Sequence, residues 1–355
     1  MIEPLLEGRS ICICAGAGGV GKTTTSAAIA LGAAARGRRV AVLTIDPAKR
    51  LASALGIPEL GNEAHRVEAD VEGELWAMML DAKRTFDDLV ETYAPDERTR
   101  DAVLSNRIYQ ELSAAVAGSQ EYMAMEKLYE LHHEGRYDLL VLDTPPTRNA
   151  LDFLEAPERL SRFIDSRSLR VFLAPGRRGL KVLTRGTGML FSVLERVTGV
   201  DLLADLSAFF SSFGGMADGF RERALRVREL LGAPETTFVL VTSPQTAAVD
   251  EAIFFKRRLA ESGMPFGGVV VNRMHELGLV DGRLDGGAAQ LLGDALGRKV
   301  ERTFDDYRRL AERDRRNVAR LRQELNGEPV VLVPYFDDDV YDLAGLARMD
   351  ERLFG

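Results

Sequence analysis

The stretch that decides the fold runs from residue 11 to residue 24 and reads Ile11-Cys-Ile-Cys-Ala-Gly-Ala-Gly-Gly-Val-Gly-Lys-Thr-Thr24. Its first five residues are apolar and predict a buried strand, while the alanine-rich sequence that follows the stretch predicts a helix. Residues 16–23 fit the pattern G-x-x-x-x-G-K-[ST]. Glycine is needed where a backbone wraps a phosphate chain, because a Cβ atom would block the approach. The stretch therefore predicts a P-loop that binds a nucleoside triphosphate, with a chance glycine turn as the alternative.

Each part of this loop has a predicted contact with the nucleotide. The backbone N–H groups of residues 18–22 are expected to surround the β-phosphate, where the N-terminus of the following helix also favours negative charge. Lys22 would bridge β- and γ-phosphate oxygens, and the Thr23 hydroxyl would bind Mg²⁺. The residues predicted to bind the nucleotide in this part of the chain are Gly18, Gly19, Val20, Gly21, Lys22, Thr23 and Thr24.

Composition argues against several classes of protein. A net charge of −8 over 355 residues disfavours nucleic acid as the main partner. The two cysteines, Cys12 and Cys14, alternate with isoleucines in the first predicted strand, so we expect buried reduced thiols rather than metal ligands. Residues 1–10 lack the basic start and apolar run of a signal peptide, and no run of 18 apolar residues could span a membrane. We therefore expect a cytoplasmic protein without stable membrane insertion.

Apolar strands alternate with helical sequence along the chain. The predicted strands are residues 11–15, 39–45, 75–80, 137–142, 237–242, 267–271 and 329–333. The main helices predicted between and after them are residues 24–36, 48–55, 246–262 and 301–325. Buried strands separated by helices are typical of a parallel sheet that helices cover on both faces. The prediction is an α/β fold with a doubly wound, mostly parallel sheet.

Two connections in this pattern are too long for ordinary crossovers between parallel strands. They span approximately residues 82–135 and 150–232, and the apolar residues of both are spaced as in helices. No Gly/Ser-rich linker or internal repeat divides the sequence. We therefore expect a single P-loop domain over residues 1–355, with one helical subdomain assembled from the two insertions.

Polar side chains follow three of the predicted strands, at the edge where the P-loop lies. Asp143 ends a buried strand and is expected to hold Mg²⁺ through a water molecule, as a Walker B residue does. Asp46 ends another strand and could orient the water that attacks the γ-phosphate, or it could cap the next helix. Asn272 could bind the adenine edge, with a turn asparagine as the alternative. The predicted catalytic residues are Asp46, Lys22 and Asp143.

Four segments together resemble the ArsA family, which includes the arsenical-pump ATPase and the ATPase that guides tail-anchored membrane proteins. They are the loop at residues 16–24, Thr44-Ile45-Asp46-Pro47-Ala48, Asp143-Thr144-Pro145-Pro146-Thr147 and Val271-Asn272-Arg273. The resemblance implies ATP and Mg²⁺ as cofactors, a dimer, and switch roles for Asp46 and Asp143. It also implies adenine contacts from Asn272 and from the loop that begins at Pro334.

One position departs from the pattern of that family. Ala17 stands where relatives place a lysine that reaches across a dimer to the phosphates of the partner. A cation supplied in trans can be worth about 10³ to 10⁵ in rate in related phosphoryl-transfer enzymes. Three explanations remain: a paralogue donates the lysine in a heterodimer, another basic residue replaces it, or hydrolysis is weak by design. We favour the heterodimer with a lysine-bearing paralogue over the homodimer.

The second insertion is rich in Leu, Phe and Met between residues 180 and 231, and glycines interrupt its helical pattern. The resemblance implies an apolar groove that closes around a client transmembrane helix, and adaptable Met and Phe surfaces suit such a client. An ordinary helical core is the alternative. Cysteines placed to bind arsenite are absent from the sequence. Because soft metalloids need thiolates, an arsenite role is disfavoured.

These observations predict a Mg²⁺-dependent ATPase that acts as a dimeric nucleotide switch and couples hydrolysis to movement of the helical subdomain. The alternative is a weakly or non-hydrolysing partner subunit or chaperone that works with a lysine-bearing paralogue. A positioning ATPase of the Min or partition type is disfavoured, because residues 342–355 lack a strong basic face. The charged helix predicted at residues 301–325 is expected to present a solvated face.

Overall fold

The computed structural model describes residues 1–46, 50–112, 119–145, 155–158, 162, 209, 212, 214–276 and 293–355. Within these residues the strands are β1 (Ile11–Ala15), β2 (Arg39–Thr44), β3 (His65–Arg66), β4 (Glu74–Met79), β5 (Leu139–Asp143), β6 (Thr236–Thr242), β7 (Phe266–Met274) and β8 (Val330–Pro334). The helices are α1 (Glu3–Leu6), α2 (Lys22–Ala35), α3 (Arg50–Ala54), α4 (Ala82–Tyr93), α5 (Glu97–Leu104), α6 (Arg107–Leu112), α7 (Ser119–Glu134), α8 (Ala217–Gly232), α9 (Thr246–Glu261), α10 (Asp294–Leu325) and α11 (Leu343–Phe354).

All eight strands belong to one sheet with the order β3-β4-β2-β5-β1-β6-β7-β8. Each neighbouring pair is parallel except β3 with β4. Because β1 lies between β5 and β6, the winding of the chain reverses at β1. Ligands of open α/β sheets bind beyond the carboxyl ends of the strands at such a reversal. The predicted α/β fold with a doubly wound, mostly parallel sheet is confirmed.

The central strands are buried along their whole length. Every residue of β1 and of β5 is buried, as expected of a parallel sheet with helices on both faces. Cys12 and Cys14 are free thiols in β1 and are fully buried, as predicted. The strand that leads into the P-loop is therefore held rigidly by packing on all sides.

The helix after the P-loop, α2, packs closely against the last helix, α11. A Cβ atom on Gly32 would lie 2.1 Å from Asp350 Oδ1 and 2.4 Å from the Phe354 ring. Arg36, which directly follows α2, forms an ion pair with Asp350 at 3.0 Å and lies over the Phe354 ring at 4.1 Å. Glycine at position 32 is what permits this approach. The helix α11 was not predicted from the sequence.

The chain divides into two compact units. The first comprises Met1–Met79, Glu134–Ala150 and Gly232–Gly355, and the second comprises Leu80–His133 and Leu151–Leu231. The sheet belongs to the first unit. In the second unit Phe220 is fully buried, and Glu126 and Arg223 form an ion pair of 2.5 Å in which the Glu126 side chain is only 2% exposed. The assembly of a single client-binding subdomain from two insertions stays a prediction.

Several predicted elements differ from the observed ones in their bounds. The long charged helix α10 begins at Asp294 rather than at residue 301, and the helical run predicted at residues 82–133 contains α4, α5, α6 and α7. The apolar residues 180–208 of the second insertion lie outside the described residues. In the part of the chain that the structure describes, no helix has the length and apolar character needed to cross a bilayer.

Candidate nucleotide-binding site

The carboxyl ends of neighbouring strands bring the predicted phosphate-binding residues together. The P-loop follows β1, and Asp143 at the end of β5 is paired with Cys14 of β1 on one side. On its other side Asp143 is paired with Thr44, the last residue of β2. Parallel strands end at the same edge of a sheet, so these three strands place a loop and a carboxylate at one position. Packing of the sheet, rather than the nucleotide, sets this arrangement.

The carboxylate of Asp143 links the P-loop to the neighbouring strands. Its Oδ2 atom accepts hydrogen bonds from the Thr23 hydroxyl at 2.7 Å and from the Thr44 hydroxyl at 3.0 Å. Burial raises the pKa of Asp143 to about 6, although both hydrogen bonds and the charge of Lys22 act to lower it. The other oxygen, Oδ1, is buried and has no hydrogen-bond partner among the described residues. A buried carboxylate oxygen without a hydrogen-bond donor is a group that a bound cation would stabilise.

The Asp143 carboxylate and the Thr23 hydroxyl suit Mg²⁺ that binds together with phosphate oxygens. They suit less well a metal ion that is held by protein ligands alone. Mg²⁺ in phosphate sites keeps several waters and takes one or two protein ligands together with phosphate oxygens. Asp143 and Thr23 supply one carboxylate and one hydroxyl in direct contact with each other. Across the described ranges, no cluster of three or more His, Cys, Asp or Glu side chains could hold a metal. The donor set therefore suits a metal that arrives with a polyphosphate.

Lys22 is buried in the first turn of α2, with its ammonium group turned back onto the loop. It is 6% exposed, and Nζ donates a hydrogen bond to the Ala17 carbonyl at 2.8 Å. Burial lowers the pKa of Lys22, and the nearby charges of Asp143, Glu251 and Asp46 oppose that effect. A phosphate oxygen that replaced the Ala17 carbonyl as acceptor would restore the charge balance of this buried cation.

Asp46 lies just beyond β2 and is half-buried. Its backbone N–H donates to the Thr44 hydroxyl at 3.2 Å. Its charge raises the pKa of both Lys22 and Asp143, so it is electrostatically part of the same site. The next helix, α3, begins at Arg50, and the residues between them lie outside the described ranges. Both predictions for Asp46, a water-orienting carboxylate and a helix cap, therefore stay open.

Asn272 lies within β7, so the alternative interpretation as a turn asparagine is wrong. Its side chain contacts the outside of the P-loop, since Nδ2 donates to the Val20 carbonyl at 3.0 Å and the residue is only 7% exposed. A Cβ atom on Gly21 would lie 2.3 Å from this Nδ2 atom, and Gly21 has a φ of +92°. Position 21 therefore requires glycine for two reasons: the backbone has a positive φ, and a side chain would collide with the Asn272 amide. The adenine contact of Asn272 stays a prediction.

A cavity of about 490 Å³ opens beside Asn272. Its lining includes Thr24 at the P-loop helix and Pro334 and Tyr335 after β8. Its volume falls within the range of about 300 to 1,000 Å³ that is typical of small-molecule sites. The predicted nucleotide-binding residues Thr24, Asn272 and Pro334 thus line one cavity. It has room for a nucleoside attached to phosphates in the P-loop.

A second cavity, of about 640 Å³, shares Arg273 and Tyr335 with the first. His275 also lines it, and His275 Nδ1 lies 2.7 Å from Asp314 Oδ2. Asp314 belongs to α10 and is fully buried. The prediction of a solvated face for α10 is therefore wrong at this position, because Asp314 turns inward to His275 and Arg313.

Two residues of the site were not predicted to have a role. Thr44 binds Asp143, and Arg273 Nη1 donates to the Gly19 carbonyl at 3.1 Å. Thr44 ends β2, which pairs with β5, so a hydroxyl at the end of the strand next to that of Asp143 is a signal that could have indicated Thr44. Arg273 has a φ of +63°, a conformation that nothing in its sequence context signals.

The fold and the loop together define the class of this protein. A glycine-rich loop at the winding reversal of a parallel sheet, followed by a helix that begins with Lys and Thr, is the arrangement of a P-loop nucleoside triphosphatase. A family model described as anion-transporting ATPase matches residues 9–277. This match covers well over half of the chain, so the protein belongs to the ArsA family of anion-transporting ATPases.

Known proteins are similar to this chain over about two thirds of its length. ATPase GET3 of Kluyveromyces lactis is 25% identical over 244 residues, which cover 66% of this chain and 62% of the relative. ATPase get3 of Neurospora crassa is 26% identical over 237 residues, covering 67% and 65% respectively. A Halobacterium salinarum protein provisionally named an arsenical pump-driving ATPase is 28% identical over 243 residues, covering 65% and 35%. The chain thus spans less than two thirds of the length of each of these relatives.

Proposed function

We propose that this protein is a Mg²⁺-dependent ATPase of the tail-anchored-protein-targeting type, in which the nucleotide state controls a helical client-binding subdomain. The observation that carries the proposal is the 2.7 Å bond between Thr23 and Asp143, with Asp143 Oδ1 buried and without a partner among the described residues. Lys22 lies buried in the same loop. Hydroxyl, carboxylate and ammonium are the side chains that a P-loop uses to bind ATP with Mg²⁺. The family match supports the same activity.

Each residue has a separate task in the proposed reaction. The P-loop amides bind the β-phosphate, and Lys22 exchanges the Ala17 carbonyl for β- and γ-phosphate oxygens. Asp143 and Thr23 would hold Mg²⁺, which neutralises charge on the phosphates when it is bound. Asp46 orients the water for in-line attack on the γ-phosphate.

The residues beyond the phosphates recognise the base and transmit the change of state. Asn272 and Pro334 would bind adenine in the cavity of about 490 Å³ that they both line. Thr144 follows Asp143 and donates its hydroxyl to the Cys14 carbonyl at 2.9 Å, which ties this segment to β1. In the proposed switch, Asp143 and residues 144–147 relay the loss of the γ-phosphate to the helical insertion.

Release of phosphate from ATP, measured with and without Mg²⁺, tests the proposal. The wild-type protein is expected to hydrolyse ATP only when Mg²⁺ is present. Asp46→Asn should retain ATP binding and lose at least about 100-fold in turnover, because a positioned base contributes about that much or more. Asp250→Asn, at an exposed aspartate of α9, is the matched control and should keep the wild-type rate. Equal rates for Asp46→Asn and the control would remove Asp46 from the mechanism.

Ala17 favours a second candidate function, a weakly or non-hydrolysing ATP-binding subunit. The side chain at this position carries no charge, so a symmetric dimer of this chain would lack the cation expected in trans. In that case ATP would lock a conformation, and a lysine-bearing paralogue would supply catalysis in a heterodimer. Turnover of the isolated chain and of the chain mixed with such a paralogue separates the two candidates. A rate that rises only in the mixture supports the heterodimer.

We further propose that the protein works as a dimer in the cytoplasm and carries a hydrophobic protein segment, such as a transmembrane helix. The family match and the apolar composition of residues 180–231 support this idea. An apolar dye tests it, because a groove that opens and closes changes dye fluorescence between the ATP and ADP states. Equal fluorescence in the two states supports an ordinary helical core instead.

A further inference from the structure

Two residues near the end of β7 donate hydrogen bonds to two consecutive carbonyl groups of the P-loop. Asn272 Nδ2 donates to the Val20 carbonyl at 3.0 Å, and Arg273 Nη1 donates to the Gly19 carbonyl at 3.1 Å. The two side chains are also linked to each other, since the Arg273 backbone N–H donates to Asn272 Oδ1 at 2.9 Å. We call this pair, Asn272 and Arg273, the β7 clamp.

The β7 clamp fixes the direction of two backbone amides. In a trans peptide the C=O and N–H groups point in opposite directions. The Gly19 carbonyl shares its peptide plane with the Val20 N–H, and the Val20 carbonyl shares its plane with the Gly21 N–H. Because both carbonyls face β7, both N–H groups face away from it. Successive N–H groups turned to one side form a concave site for an anion.

The backbone of Arg273 is in a conformation that few non-glycine residues adopt. Its φ is +63°, in the left-handed region where a Cβ atom meets the following carbonyl. The pairing of β7 with β8 is irregular between Val271 and Met274, so the strand is bent at this residue. Such strain persists where the surrounding structure enforces it, and it gathers at functional sites. At Arg273 the backbone strain accompanies the hydrogen bond from its guanidinium to the Gly19 carbonyl.

We propose that Arg273 is a positioning residue for phosphate binding. Its guanidinium holds the Gly19 carbonyl outward and thereby keeps the Val20 amide turned toward the β-phosphate. This inference rests on the proposed binding of ATP to the P-loop. Because the Arg273 guanidinium acts on the loop backbone and not on the base, its contribution is the same for every purine nucleoside triphosphate.

Calorimetric titration with Mg²⁺·ATP and Mg²⁺·ITP tests the role of Arg273. Arg273→Ala is expected to weaken both affinities by about tenfold, the effect of losing one charge-assisted hydrogen bond, and to leave their ratio unchanged. Arg273→Gly adopts a positive φ without strain, so it repeats the test if the alanine variant is unstable. Arg273→Lys restores a cationic donor and should recover part of the affinity. Arg257→Ala removes an exposed arginine of α9 and is the matched control.

Each result has a definite meaning. An Arg273→Ala affinity equal to that of Arg257→Ala would overturn the inference, while the wild-type titration would still support ATP binding. A change in the ratio of ATP to ITP affinity would also overturn it, because it would assign Arg273 to the base. A wild-type protein that does not bind Mg²⁺·ATP would refute the proposed function itself.

Discussion

The Thr23 hydroxyl of α2 and the Asp143 carboxylate of β5 are joined by a hydrogen bond of 2.7 Å. They lie 120 residues apart in the sequence, and the pairing of β5 beside β1 brings them together. This bond satisfies one oxygen of a buried carboxylate. Both oxygens of Asp143 and the Thr23 hydroxyl are ligands that Mg²⁺ accepts. A contact that stabilises the fold is therefore also the contact from which a metal site can form.

Asp143→Asn is predicted to stabilise the nucleotide-free protein at pH 7.5. The pKa of Asp143 in the folded protein, about 6, lies above the ordinary value of 3.8, so the folded state binds the proton more tightly than the unfolded state. Ionised Asp143 then lowers the free energy of unfolding by about 3 kcal/mol above pH 6, and this loss vanishes as the pH falls toward 4. Thermal unfolding should show a gap between variant and wild type that narrows from pH 7.5 to pH 5. A gap that does not depend on pH contradicts the prediction.

Ala17→Lys is predicted to raise the rate of ATP hydrolysis. In the proposed dimer the new ammonium would reach the phosphates of the partner subunit, and a cation supplied in this way is worth about 10³ to 10⁵ in rate in related enzymes. Because Lys22 contacts the backbone carbonyl of Ala17, the substitution leaves that hydrogen bond available. Ala17→Met, which adds a side chain of similar length without charge, is the control. The difference in turnover between Ala17→Lys and Ala17→Met measures the effect of the cation. Unchanged turnover in both variants would mean that another basic residue already supplies the charge.

Gly32→Ala is predicted to destabilise the protein, although alanine normally favours a helix over glycine by about 1 kcal/mol. The new methyl group would lie 2.1 Å from Asp350 Oδ1 and 2.4 Å from the Phe354 ring, so α11 must move. Overpacking of this kind costs about 1 to 3 kcal/mol. Chemical denaturation measures the change. In Phe354→Ala the ring is absent, and the same substitution should cost less; an equal cost in both backgrounds would refute the role of α11.

Arg223→Met is predicted to destabilise the second compact unit by about 3 to 5 kcal/mol, because it leaves the buried carboxylate of Glu126 without its cation. Burial raises the pKa of Glu126, so the unpaired group can take up a proton as the pH falls. The destabilisation should therefore be smaller at pH 5 than at pH 8, as measured by urea unfolding. Arg226→Met removes an exposed arginine one turn away and should change stability by less than about 1 kcal/mol. Equal losses in the two variants would contradict the burial argument.

The sequence was sufficient for seven of the eight described strands, because the central ones, such as β1, β5 and β6, are short apolar runs that are buried throughout. The two-residue strand β3 is exposed and was not predicted. The P-loop, Asp46 and Asp143 could each be placed at a strand end, since parallel strands fix which edge the following residue reaches. The helix α11 was missed, because its burial depends on a glycine in a distant helix that permits close contact. The pattern of apolar residues within one helix does not indicate which distant helix it packs against.

The sequence was also insufficient to predict the direction in which some side chains point. Asn272 was expected to end its strand, yet β7 continues to Met274 and the amide binds the P-loop backbone, a contact that was not predicted. Asp314 was placed on a solvated face because its neighbours are charged, yet it is buried against His275. In both cases a contact with a segment distant in sequence decides the position, and periodicity within one element cannot indicate it.

Calorimetric titration of the protein with ATP, in the presence and absence of Mg²⁺, tests the central claim most directly. We predict one ATP bound per chain, an affinity that depends on Mg²⁺, and loss of binding in Lys22→Ala, because this residue supplies the buried ammonium group of the loop. Binding that Lys22→Ala does not weaken, or no binding of Mg²⁺·ATP to the folded wild-type protein, would contradict the account.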